Sequence, residues 1–155
     1  MTSEEKEIYE KLSSFCAYQE RCVHDVQQKL FKLKIEKSDF EKYLLPLQED
    51  NFLNEDRFAK AFVSAHAKKK WGKAKIKSAL YTKRIGAAVI KKYLDDLDEG
   101  DYHEQIKTAA EKKWGSIKGK TERDRKTKLL RFLLSKGYEM GLASAAVKEV
   151  AGKAV

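Results

Sequence analysis

The hexad LYTKRI at residues 80–85 has two counterparts in the same chain, LFKLKI at 30–35 and LLSKGY at 133–138. Each opens on leucine and closes on a large apolar residue five positions later, and successive starts lie 50 and 53 residues apart. A recurrence near 50 residues is a repeat period, so the 155-residue chain reads as three related units.

The flanks of the hexads agree. Phe40, Tyr43, Leu44 and Leu47 follow the first, Ile90, Tyr93, Leu94 and Leu97 the second, and Ala143, Ala146, Val147 and Val150 the third. That i, i+3, i+4, i+7 spacing is the stripe of an amphipathic helix. Before the hexads stand Ile8, Leu12 and Phe15, then Phe58, Ala61, Phe62 and Ala65, then Ile106, Ala109 and Ala110. Each unit therefore reads as three helices, with bounds at 1–52, 53–100 and 101–155. In the middle unit Phe58, Phe62, Ile76, Leu80, Ile90 and Leu94 are the expected core. With a single proline, eight glycines and no alternating β-branched runs, strands are hard to place and the fold class is all-α. Stacking three helix-turn-helix-like units would share their apolar faces and give an elongated body that can curve, expected to be a monomer.

Start and stop signals fall between the stripes. Ser38 with Glu41 has the pattern of a capping box, Asn54 precedes the acids Glu55 and Asp56, and Thr121 with Asp124 repeats the pattern. Gly72, Gly86 and Gly137 fall where helices should end or reverse. Pro46 lies inside a stripe and must either kink that helix or end it early.

Charge is uneven along the chain. The net +9 divides into −3 for residues 1–50 and +6 for each of 51–100 and 101–155. KKKWGKAKIK at 68–77 holds six lysines, and no acid occurs between Asp56 and Asp95. An ordinary exposed helix alternates its signs for i, i+4 support, so this tract predicts a surface that faces an anion. Lys68, Lys69, Lys70, Lys73, Lys75, Lys77, Lys83 and Arg84 form the first part of the candidate basic face. Arg123, Arg125, Lys126, Lys128 and Arg131 form the second. Lys69, Lys70 and Lys73 are expected to have solvated heads. A helix-turn-helix reading of bases is disfavoured, because the third helices carry Glu41, Asp95 and Asp96 where phosphates would lie.

Other chemistry has little to work with. His24, His66 and His103 are scattered, and no phosphate loop, HExxH or GxSxG occurs. No catalytic residue, cofactor or metal is expected. Cys16, Cys22 and His24 are too few for a zinc site, and the cysteines read as reduced, packed thiols. Trp71 and Trp114 follow lysines and precede glycine, where an indole can stack on a base or close a helix end, and their position favours closure. The N-terminus is acidic and no apolar run approaches the ~18 residues needed to cross a bilayer, which predicts a cytoplasmic protein.

NFLNEDRFAKAFVSAHAKKKWGKAKIKSAL at 51–80 resembles the central signature of the RecX family of bacterial recombination regulators, with Arg57, Phe58, Ala59, Gly72, Ile76 and Leu80 at the matching places. DVQQKL at 25–30 and KLLRFLLSKGY at 128–138 resemble the family's flanking elements, in the same order. Asn51 and Arg84 stand where the family has glycine, and Cys22 where it has a serine cap. The resemblance implies tandem three-helix repeats and a non-enzymatic regulator of homologous recombination and the SOS response. Such a regulator binds the RecA filament on single-stranded DNA along its groove, with direct DNA contact open, and restrains ATPase, strand exchange and coprotease activity. A general helical nucleic-acid-binding module without a recombinase partner is the alternative reading.

Overall fold

The computed structural model describes residues 1–153. Among these residues the chain forms nine α-helices and no strand. They are α1 Ser3–Tyr18, α2 Val23–Lys32, α3 Phe40–Glu49, α4 Glu55–Lys68, α5 Lys73–Thr82, α6 Ala87–Asp95, α7 Glu99–Trp114, α8 Glu122–Ser135 and α9 Met140–Lys153, with a 3-10 turn at Lys37–Asp39.

The hexads turn out to be helix C-caps. In each, the residue before the last takes positive φ: Lys34 at 63°, Arg84 at 61° and Gly137 at 92°. The N–H of the closing residue then donates to the carbonyl of the opening leucine, Ile35 to Leu30 and Ile85 to Leu80 at 3.1 Å, Tyr138 to Leu133 at 3.2 Å. This is the Schellman motif, which pairs orphan carbonyls and sets the apolar residues five apart against each other. Leu30, Leu80 and Leu133 are fully buried. The spacing that marks the repeat is thus the spacing the cap requires.

Two more helices end the same way. Asn51, at φ 63°, follows α3, with Phe52 N–H donating to Leu47 at 2.9 Å; Lys70, at φ 66°, follows α4, with Trp71 N–H donating to His66 at 3.1 Å. An L-residue in this conformation costs about 1–2 kcal/mol that glycine avoids. Arg84→Gly is therefore expected to raise stability by about 1 kcal/mol, after allowing for glycine's greater unfolded entropy. Urea denaturation checks it.

Contacts divide the described residues into two compact units, residues 1–62 with 80–90, and 63–79 with 91–153. The first has a core of Leu12, Cys16, Val26, Leu30, Phe40, Tyr43, Leu44, Leu47 and Leu53. Phe58, Ala59, Leu80, Ile85 and Ile90 are also buried in its segments. In the second, Tyr102, Ile106, Ala110, Trp114, Leu129, Leu133 and Tyr138 pack with the small residues Ala143, Ala146, Val147, Val150 and Ala151 of α9. Ile76 and Leu94 are buried there too.

Some expectations need correction. Ala61 and Ala65 are exposed and Phe62 is only half-buried, while Ala59 and Val63 are buried. The inward stripe of α4 is rotated from the expected one, and its outward alanines simply favour helix. Ser38 does not cap α3: it lies in the 3-10 turn, and Asp39 takes the N-cap position without a side-chain bond. A capping box is formed instead at α1 by Thr2 and Glu5, whose mutual bonds are 3.0 and 3.1 Å long. Asn54 and Thr121 do cap, accepting from Arg57 N–H at 2.9 Å and Asp124 N–H at 3.1 Å. Pro46 does not end α3, which continues to Glu49.

Candidate basic surface and partner interface

The lysine tract spans the end of α4 and the first half of α5, and the backbone of its turn is held by hydrogen bonds within the second unit. Tyr138 Oη donates to the Lys70 carbonyl at 3.0 Å. Gly72 N–H donates to the Lys136 carbonyl at 2.7 Å and Ala74 N–H to the Gly137 carbonyl at 2.9 Å. Lys73 N–H donates to Tyr102 Oη at 2.9 Å, and Tyr102 Oη in turn donates to Glu139. Burial, followed by the bond to Glu139, pushes the Tyr102 phenol well above its ordinary value, so it stays a donor. These N–H groups at the start of α5 are already paired, which removes the usual anion-binding role of a helix N-terminus. The anchoring leaves side chains to present the charge.

Lys68, Lys69 and Lys70 are exposed. Lys73, expected to be solvated, is half-buried with its ammonium 4.7 Å from the centroid of the Tyr102 ring. Lys75 Nζ lies 4.1 Å from the Trp71 ring centroid, where the cation meets the π-face. Lys77 is exposed. Trp71 itself is half-buried and lies 4.3 Å from His66 between ring centroids, and Trp114 is buried in the core. Both close helix ends.

On α8, Arg123, Lys126, Lys128 and Arg131 are exposed. Lys126 is 4.0 Å from Glu122, and Lys128 Nζ donates to the Lys118 carbonyl at 2.7 Å. Arg125 has a different environment: its guanidinium sits 3.9 Å from the Trp114 ring centroid and donates to the carbonyls of Trp114 at 3.1 Å and Ile117 at 3.3 Å. It braces the segment between α7 and α8.

Lys83 and Arg84 belong to the first unit. Lys83 Nζ is 2.6 Å from Asp25 Oδ1, a link between the LYTKRI hexad and the DVQQKL element. Burial pushes the Asp25 carboxyl up, but Lys83 and the Cys22 N–H outweigh it and hold it below the ordinary aspartate value. Arg57 is a similar hub. Its Nε donates to both oxygens of Glu20, at 2.7 and 2.8 Å, and its Nη2 donates to the Asn51 carbonyl at 3.0 Å, fixing the turn in which Asn51 takes positive φ.

Cys16 and Cys22 are buried free thiols, pushed up to about 11 and about 12 chiefly by burial. No group of three or more histidine, cysteine or acidic side chains is placed to hold a metal ion among the described residues. Nor is any helix among them long and apolar enough to cross a membrane.

The geometry also gathers lysines that the sequence reading passed over. Lys112, Lys113 and Lys136 stand with Lys70 around one cleft. Sequence separation hides this group, although the lysine pair before Trp114 and the lysine inside the third hexad were both visible.

Repeated three-helix architecture, with a lysine-rich turn fixed by its backbone, defines an all-helical repeat protein. Residues 54–94 match the family description "RecX, second three-helix domain" and residues 100–147 match "RecX, third three-helix domain". The chain belongs to the RecX family. A regulatory protein RecX of Vibrio parahaemolyticus is 33% identical over 125 residues, 81% of this chain and 79% of that one. Another, from Clostridium perfringens, is 30% identical over 129 residues, 81% of this chain and 60% of that one. The fold is shared with a crystal structure of regulatory protein RecX, at a TM-score of 0.81 and 22% identity over 96% of this chain and 72% of that one. It is shared also with RecX from Lactobacillus salivarius, at a TM-score of 0.79 and 22% identity over 94% of this chain and 95% of that one. The protein is a non-enzymatic regulatory protein of this family.

Proposed function

We propose that the chain regulates homologous recombination and the SOS response by binding a RecA-type recombinase filament on single-stranded DNA along its groove, as a cytoplasmic monomer, and that it restrains ATPase, strand exchange and coprotease activity there. The division into three-helix units at 1–52, 53–100 and 101–155 is part of this reading. One observation carries it beyond family membership: Lys68, Lys69 and Lys70 are exposed on a turn whose backbone is anchored by Tyr138, Lys136 and Gly137. Charges on a fixed frame lose little freedom on binding and steer an anionic partner from a distance. Exposed Arg123 and Arg131 on α8 extend the same sign.

The test compares binding to bare single-stranded DNA with binding to the same strand coated by recombinase, at matched salt. Tighter binding to the coated strand is the expected result. Equal affinity would return the plainer reading of a nucleic-acid-binding module, and indifference to DNA and filament alike would refute both. If about six phosphates are neutralised, any DNA-linked part of the affinity should fall on the order of 10³-fold between 50 and 200 mM salt. A flat response would place the binding energy in apolar protein contacts.

A further inference from the structure

Within the second unit, α7 and the end of α8 enclose a cleft of about 380 Å³. Lys70, Lys112, Lys113 and Lys136 line it around Phe132 and Tyr138, and no carboxylate does. Two of the ammonium groups sit over one ring, Lys113 at 4.9 Å and Lys136 at 5.6 Å from the Phe132 centroid. None of the four makes an ion pair among the described residues. Like charges gathered over an apolar floor, without a counter-charge from the chain, raise the local positive potential.

A second cleft, of about 470 Å³, shares Lys70, Ala109, Lys112 and Tyr138 with the first and reaches Asp101 and Glu104. Asp101 and Lys112 are both on α7, and eleven residues of helix place them about 16 Å apart along its axis. The combined trough is therefore cationic at one end and anionic at the other. Its floor is fixed: Tyr138 Oη donates to the Lys70 carbonyl at 3.0 Å while accepting from Gln105 Nε2 at 2.9 Å.

We propose that this trough docks an extended peptide segment of a partner protein, one that sets two or more carboxylates and an apolar side chain at the four-lysine end. About five extended residues span its length. A nucleic-acid strand fits less well, because it carries a phosphate at every nucleotide and would have to run past Asp101 and Glu104. Nor is an aromatic face open for a base, since Tyr138 is buried and lysine ammonium groups lie over Phe132. A peptide changes sign along its length and meets both ends. The proposal deepens the protein-binding reading above, and it is tested without the recombinase so that the two stand or fall separately.

The probe is the acetylated, amidated hexapeptide Asp-Glu-Asp-Leu-Ser-Lys, acidic at the end meant for the lysines and basic at the end meant for Asp101 and Glu104, titrated into the isotopically labelled full chain and followed by amide shifts. Saturable shifts at Ala109, Ser116 and Phe132 are expected, with affinity at least tenfold weaker for the analogue Asn-Gln-Asn-Leu-Ser-Lys. Lys112→Glu with Lys136→Glu should also weaken the acidic peptide at least tenfold while leaving the circular dichroism spectrum unchanged. Should that pair fail to fold, Lys112→Ala with Lys136→Ala carries the test, with an expected loss of at least threefold. Absent binding, shifts elsewhere, or unchanged affinity in the folded variant would each overturn the proposal. A thymidine oligonucleotide that displaces the peptide from the same amides and binds more tightly would overturn it in favour of nucleic acid.

Discussion

Replacing Gly72 or Gly137 by alanine is expected to lower the stability of the chain by about 3 kcal/mol or more, read from urea denaturation followed by circular dichroism. A Cβ on Gly72 would stand 2.1 Å from the Gly137 carbonyl carbon and 2.2 Å from its oxygen. One on Gly137 would stand 2.2 Å from Lys75 Cβ and 2.7 Å from Lys75 N. These neighbours are backbone atoms or a Cβ fixed to the backbone, so no rotamer change relieves the overlap. Moving the segments apart would break the bonds from Gly72 N–H to Lys136 and from Ala74 N–H to Gly137, at 2.7 and 2.9 Å. Gly137 also has φ at 92°, so any L-residue is strained there. Gly141 supplies the contrast: it lies in α9 with nothing within 4 Å of an added Cβ. Gly141→Ala should stabilise by about 0.5 kcal/mol, because alanine has less unfolded entropy to lose in a helix. A uniform response across these glycines would mean that the close approach is absent.

The contrast explains what could be read in advance. The hexads were legible because a C-cap makes a local demand: a buried leucine, a left-handed residue, then an apolar residue whose N–H returns to that leucine. The left-handed position itself was legible only in the third unit, where it is glycine. Lys34, Asn51, Lys70 and Arg84 take the same conformation without signalling it. The rotated stripe of α4 escaped because Ala61 and Ala65 count as apolar in a pattern yet cost nothing when exposed. Of the candidate site, the charge of the lysine tract was plain from the sequence. Its anchoring was not, since the residues that hold the turn, Tyr102, Lys136, Gly137 and Tyr138, lie roughly 30 to 70 positions away along the chain. For the same reason sequence gave no warning that Lys83 would pair with Asp25 or that Arg125 would cover Trp114.

That anchoring also determines which lysines make a clean test of function. Changing Lys68, Lys69 and Lys70 together to glutamate is expected to weaken inhibition of a recombinase filament at least tenfold, equivalent to about 1.4 kcal/mol of binding free energy. Lys73 and Lys75 are left in place because their ammonium groups lie over Tyr102 and Trp71, and losing them would disturb the packing of the turn. The chosen three are exposed, and the bonds that hold the turn use the Lys70 carbonyl rather than its side chain. Folding is not untouched. Carboxylates in and just beyond the last turn of α4 oppose the helix dipole, at about 0.3–1 kcal/mol each. A companion variant with glutamine at the three positions removes that cost and only neutralises the charge. If cations at this turn meet an anionic surface, glutamate must inhibit less well than glutamine, and glutamine less well than lysine, with the gaps narrowing as salt rises. Lys6→Glu with Lys11→Glu, in the acidic first third, should leave inhibition unchanged. Should all three variants fold and inhibit like the parent, these lysines are solvated and nothing more, and the filament-facing charge has to be sought on α8, at Arg123 and Arg131.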